Sequence, residues 1–427
     1  MPVSVRPPIV LACALAAGLC VAAPARAEWI YARLQPAEQT TFASGDVSVS
    51  NDGKTVVFVS GATQWVDGTP PAAEVYAYDL DSAFVEVISI TSTDTFTSGV
   101  SPSVSRDGRY VAFLALGGPY DGGTLSGWQV LRKDRVTGAL ELVTATGAGA
   151  PLGPNVNQDD VTAISGDGRY VAFVSRSPDL GVSTDQVFLK DMQTGTVEHV
   201  SVDASGAAPG AAGDAVMYSH AVSDDGRYVA FISPGPLLPG VTATGQVYVR
   251  DTVANTTELV SRRDGANGQP GTTGANRPAL SPSGRFVVFQ AYGGLGSFPN
   301  ASGAFLRDRV THATVSIPSP SALPAGSSCF GGDVSDAGTV LIQCGSTGQV
   351  FLWVPGSDPL LVSTDAGGNP ANASSGNSLG IDASGLSMVF ESIASNIDPA
   401  DTNNSADVFL LVESSVIDGI FRDGFED

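Results

Sequence analysis

The chain has 427 residues, of which 43% are apolar and 15% charged, and it carries a formal net charge of −22. An apolar fraction of that size excludes a disordered chain. The acidic excess speaks against a nucleic-acid partner, because such binding rests on neutralising phosphates. The 50 glycines and 27 prolines fit the turns of an all-β protein.

Residues 1–27 read as a secretory signal peptide. Arg6 supplies the basic start, Ile9 to Ala23 the apolar stretch, and Ala25-Arg26-Ala27 an A-x-A cleavage site before Glu28. The apolar stretch is short for a membrane anchor. No later stretch is long and apolar enough to span a bilayer, so the mature chain is expected to be exported, to the periplasm or outside the cell.

After the cleavage site comes an alternating run, Trp29 to Leu34, with no unit of its own. From there a pattern recurs seven times. Its clearest copies are Asp107-Gly108-Arg109-Tyr110-Val111-Ala112-Phe113, Asp167 to Phe173 and Asp225 to Phe231, with looser copies at Gly53, Gly284, Gly338 and Gly385. Repeats 47 to 60 residues apart mean one supersecondary unit used many times. Each unit opens with a small and an aliphatic residue in alternation, such as Ala163-Ile164 or Ala221-Val222, which reads as a short strand. A tight Gly turn follows, then an apolar run buried on both faces. A loop rich in Gly, Pro, Ser and Asp leads to a third strand, as in Val187-Phe-Leu-Lys-Asp191 or Val247-Tyr-Val-Arg-Asp251. A fourth strand follows in several copies, as at Thr196–Ser201.

Four antiparallel strands per unit is the blade of a β-propeller, so the fold class is all-β, a seven-bladed β-propeller over residues 28–412. The seventh unit ends at Val408–Val412 without a fourth strand. Trp29–Leu34 is expected to fill that place and close the ring, removing the edges that an open array exposes. Residues 413–427 are left as a C-terminal tail. Within it, Ile417 to Asp427 is similar to a "Phe-x-Asp-Gly-Phe-Glu" ending of exported Gram-negative proteins and reads either as a sorting signal or as an end packed on the ring.

The sequence Ser-x-Asp-Gly-Arg-Tyr-Val-Ala-Phe, followed by Val-Phe-Leu-Lys-Asp, resembles the TolB-type, WD-like propeller repeat. The resemblance covers nearly the whole mature chain and implies protein–protein interaction in the cell envelope. Blades six and seven depart from it: Thr339 to Gln343 and Leu386 to Phe390 lack the Arg-Tyr pair, and their third strands lose the terminal Asp.

Few residues suggest chemistry. Cys329 and Cys344 flank the first turn of blade six about equally, which places them opposite one another; a disulfide fits an exported protein, and two buried thiols are the alternative. The loop Asp398, Asp401, Asn403, Asp407 has side-chain oxygens at spacings that can wrap a calcium ion, or it is a solvated loop of Asx turns. Trp65 and Tyr120 lie in loops between second and third strands and are candidate surface anchors for a partner. His220 precedes the first strand of blade four, from where it can approach the central channel. Gly376-Asn377-Ser378-Leu379-Gly380 matches G-x-S-x-G, but that motif needs a strand followed by a helix, and here another strand is expected. The recurring third-strand aspartate reads as a turn cap. These features favour a non-catalytic scaffold that binds an envelope or extracellular protein or polysaccharide. The alternative is a propeller hydrolase or lyase acting on carbohydrate or peptide in the central channel.

Overall fold

The computed structural model describes residues 29–34, 43–66, 72–147, 149–153, 161–203, 205–207, 214–293, 295 and 303–414. The expected signal peptide and the segment 417–427 lie outside them. Seven antiparallel sheets make seven blades. Blade one runs through Ser44–Val49, Thr55–Ser60, Glu74–Asp79 and Phe84–Val87, and blade three through Ala163–Ile164, Tyr170–Ser175, Gln186–Asp191 and Val197–His199. Six sheets have four strands. In blade four the inner strand is reduced to two bridges, Val216 to Ile232 and Val222 to Val229, because His220 between them takes a left-handed φ of 64°.

The Ser-x-Asp-Gly-Arg-Tyr pattern is explained atom by atom in blade three. The Ser165 hydroxyl donates to Asp167 at 2.6 Å and accepts from the Tyr170 amide at 2.9 Å. Asp167 also accepts from the Arg169 amide at 3.0 Å. Arg169 then forms a two-pronged pair with Asp191, at 2.9 and 2.7 Å, and lies over the Tyr170 ring. Asp191 caps the next turn by accepting from the Gln193 amide. The same pair recurs as Arg109–Asp134, Arg227–Asp251 and Arg285–Asp308. A second recurring clip ties strands three and four: the hydroxyls of Ser201, Ser261 and Ser363 donate to Gln186, Gln246 and Gln349 at 2.7–2.8 Å.

Neighbouring blades meet through the turn glycine. Gly168, at φ 70°, sits against the Tyr110 ring of the preceding blade, and Gly226, also at φ 70°, against Tyr170. Gly284 meets Tyr228 in the same way. A Cβ at these positions would overlap the ring as well as strain the backbone.

The ring closes as the sequence implies. Trp29–Leu34 pairs antiparallel with the last strand, from Trp29 opposite Glu413 to Leu34 opposite Val408. Cys329 and Cys344 face each other across blade six and are joined in a disulfide.

Gly226→Ala and Gly195→Ala share a positive φ, but nothing lies within 4 Å of a Cβ at Gly195. Gly226→Ala is expected to cost on the order of 1–3 kcal/mol more in urea unfolding, the cost of overpacking. Equal losses would mean that the inter-blade joint contributes nothing. Replacing both cysteines by serine opens a loop of sequence separation 15, for which a loss of about 3 kcal/mol is expected. Unreduced, denatured protein should yield no alkylated cysteine at 329 or 344.

Candidate functional site

The turns that end the inner strands meet around the channel axis and close one mouth of it. The Asp52 amide donates to the Arg106 carbonyl at 3.0 Å, Arg106 to Gly166 at 2.9 Å, Gly166 to Asp224 at 3.0 Å and Asp224 to Pro282 at 2.7 Å. Pro282 has no N–H to continue the relay. The Ser283 amide takes over, donating to the Asp336 carboxylate at 2.7 Å. Asp336 donates to Ala383 at 3.0 Å, and Ala383 to Asn51 at 3.1 Å. Seven blades are thus linked head to tail.

Side chains plug what the backbone leaves. The Asn51 amide donates to Asp224 from across the ring, and Arg106 lies 3.2 Å from the other carboxylate oxygen. Burial pushes the Asp224 carboxyl up to about 6, against the pull of Arg106 and Asn51.

Behind this ring, the space lined by Asn51, Ser103, His220, Asp333 and the aliphatic residues of the inner strands is about 20 Å³, room for about one water molecule. His220 Nδ1 lies 3.4 Å from the buried Asp333 carboxylate, and that carboxylate accepts from the Ile381 amide at 2.9 Å. Burial raises the Asp333 carboxyl above its ordinary range, with His220 opposing. The pair ties blades four, six and seven together. Ser378 of the G-x-S-x-G match lies in the strand Ser375–Ile381, which the strand Ser387–Ser392 follows. Its hydroxyl exchanges hydrogen bonds with the backbone of Val47.

The opposite face, the open face hereafter, is where inner strands begin and second and third strands are joined. Asp46, Ser101 and Arg277 occupy the same inner-strand position in blades one, two and five, at φ 49°, 51° and 50°, each within a bulge of the inner pair. Burial raises the carboxyls of both Asp46 and its neighbour Glu391.

The four residues of the acidic loop do not stand open to a cation. Arg33 of the closing strand enters the loop, with Nε 2.8 Å from Asp398 and Nη1 3.1 Å from both Asp401 and Asp407. Asn403 donates to Asp407 at 3.3 Å. The guanidinium lies between the loop's carboxylates. Burial still holds the Asp407 carboxyl up, at about 6. Among the described residues no set of three His, Cys, Asp or Glu side chains converges as a metal site.

Trp65 also departs from the sequence expectation. It is 3% exposed and packs against Phe58 and Tyr76, with ring centroids 4.9 and 6.1 Å away. It is a core residue, drawn inward by two aromatic neighbours, and offers no surface to a partner. Tyr120 sits at the tip of a long hairpin, Tyr110–Tyr120 with Gly123–Asp134. The next residue, Asp121, bonds to both the amide and the carbonyl of Leu140. The tip therefore covers the outer edge of blade two and leaves Tyr120 half-buried, while Leu116 beside it is exposed.

No family model and no curated protein sequence matches the chain. Among solved structures it is similar to an oligogalacturonate lyase from Vibrio parahaemolyticus, at 11% identity and a TM-score of 0.51, over 91% of this chain and 98% of that one. It is similar to TolB from Acinetobacter baumannii at 18% identity and a TM-score of 0.39, over 65% and 54%. An acylaminoacyl peptidase from Pyrococcus horikoshii matches at 9% identity and a TM-score of 0.46, over 82% and 49%. The chain spans about half the length of the TolB and peptidase chains and nearly all of the lyase. At these identities the likeness is one of fold, that of the β-propeller.

The raised Asp224 gives a signed prediction. A group whose pKa is higher folded than unfolded favours the folded state below its unfolded pKa, and that contribution is lost as pH rises through about 6. Asp224→Asn keeps an acceptor for Asn51 and cannot ionise. It is expected to be more stable than the parent at pH 8, on the order of 1 kcal/mol, with the difference gone at pH 4. Thermal unfolding at both values checks this; a difference that does not move with pH contradicts it.

Proposed function

We propose that the protein is an exported, non-catalytic binding scaffold that recognises an envelope or extracellular protein or polysaccharide through the open face of its propeller. The carrying observation is the channel. Hydrogen-bonded turns cross it, and the space directly behind them, about 20 Å³, is too small for a sugar or peptide unit, which argues against a hydrolase or lyase site there. Recognition then falls to loops on a rigid frame, where binding residues concentrate. The disulfide supports an oxidising compartment, and residues 1–27 supply the export signal. No helix among the described residues is long and apolar enough to cross a membrane.

The test is photocrosslinking in intact cells. Leu116, 53% exposed, stands on the open face, and Val253, 72% exposed, on the ring face. A photoreactive residue at 116 is expected to capture a specific envelope partner, and one at 253 is not. Capture from 253 alone would contradict the reading.

A further inference from the structure

Arg277 differs from the other arginines of the inner turns and strands. Arg106, Arg109, Arg169, Arg227 and Arg285 are each held by an aspartate. Among the described residues the Arg277 guanidinium has no ion pair and donates no hydrogen bond. Its side chain is exposed on the open face. Its guanidinium lies over the Phe330 ring of blade six, 5.5 Å from guanidinium carbon to centroid, and its charge reaches the Tyr218 hydroxyl.

Phe330 is also a wall of the large cavity on that face. This hollow of about 540 Å³ lies between the loop that enters blade six and the turn after Cys344, with Leu323, Pro324, Ser328, Ser346 and Thr347 as further lining. The volume falls in the range of small-molecule sites. The floor is fixed, because the Cys329–Cys344 disulfide joins the two strands that carry these segments. No Asp or Glu contributes to the lining, in a chain with a net charge of −22. Among the described residues the hydroxyls of Ser328, Ser346 and Thr347 have no hydrogen-bond partner and stand exposed.

We propose that this cavity binds an acidic sugar, with a hexuronate carboxylate on Arg277 and the sugar body between Phe330 and the serine and threonine hydroxyls. An unpaired guanidinium presents two parallel N–H groups that match a carboxylate. One cation matches one negative charge; a dianionic phosphate would leave a charge uncompensated beside an acidic surface. The apolar residues take the flat face of a pyranose, and the hydroxyls take its rim. The site rests on the open-face reading above and names a ligand for that face.

Saturation-transfer NMR on the full mature chain, with glucuronate and glucose as probes, tests it. Glucuronate is expected to bind at least about tenfold more tightly than glucose, a difference of about 1.4 kcal/mol. Arg277→Gln should abolish that preference, and Arg277→Lys, which keeps the charge without the fork, should retain part of it. Equal binding of the two sugars, no binding of glucuronate, or an unchanged preference in Arg277→Gln would each overturn the site. Crosslinking from position 116 is read separately. If it survives while the hexuronate preference fails, this site falls and the scaffold reading stands.

Discussion

The structure depends on how one blade is seated on the next. In blades three to six a turn glycine lies against an aromatic ring of the preceding blade, in the other three it meets a Ser or Thr side chain, and each turn passes an amide hydrogen to the following one. Each half needs the other. The glycine allows the close approach, and the approach brings the amide within reach of the next carbonyl. In blade three the arginine after the glycine covers the tyrosine that follows it, the ring on which the next blade's glycine sits, and pairs with the third-strand aspartate. A blade cannot bury its own faces, so this joint turns seven marginal sheets into one body.

Closure follows from the same need. The last sheet would present an open edge, and Trp29–Leu34 fills it. Arg33 fastens that strand, because its guanidinium pairs with three loop carboxylates at once. Its side chain is 2% exposed, so Arg33→Ala would leave buried carboxylates without their cation, a change that costs about 3–5 kcal/mol in comparable buried pairs. The ring that results is narrow at the turn end. The opposite face is where inner strands bulge in blades one, two and five.

Much of this was legible in the residues. The Asp-Gly-Arg-Tyr copies give the repeat, its spacing gives the blade, and the missing last strand gives the closure. The cysteines could be paired because they flank one hairpin turn. What failed to show involved partners far apart in the chain. The acids at 398, 401 and 407 can be read as a calcium loop or as Asx turns, and neither reading shows Arg33, which arrives from the other end of the sequence. Trp65 looks exposed because its loop is polar, yet Phe58 and Tyr76 draw it into the core. The weak inner strand of blade four was hidden too, since a left-handed His220 leaves no mark in a pattern of small and aliphatic residues. Arg277 carried no signal at all, because being unpaired is a property of its surroundings.

Native-state hydrogen exchange at the ring turns tests the account most directly. The amides of Arg106, Gly166, Asp224, Asp336 and Ala383 belong to turns, and turn amides ordinarily exchange through small local openings. If the relay closes the channel and binds the blades, these amides should exchange as slowly as those of the buried strand Tyr170–Ser175, only through global unfolding. Exchange as fast as that of the open-face loops would contradict the closed channel and, with it, the case for a scaffold over an enzyme.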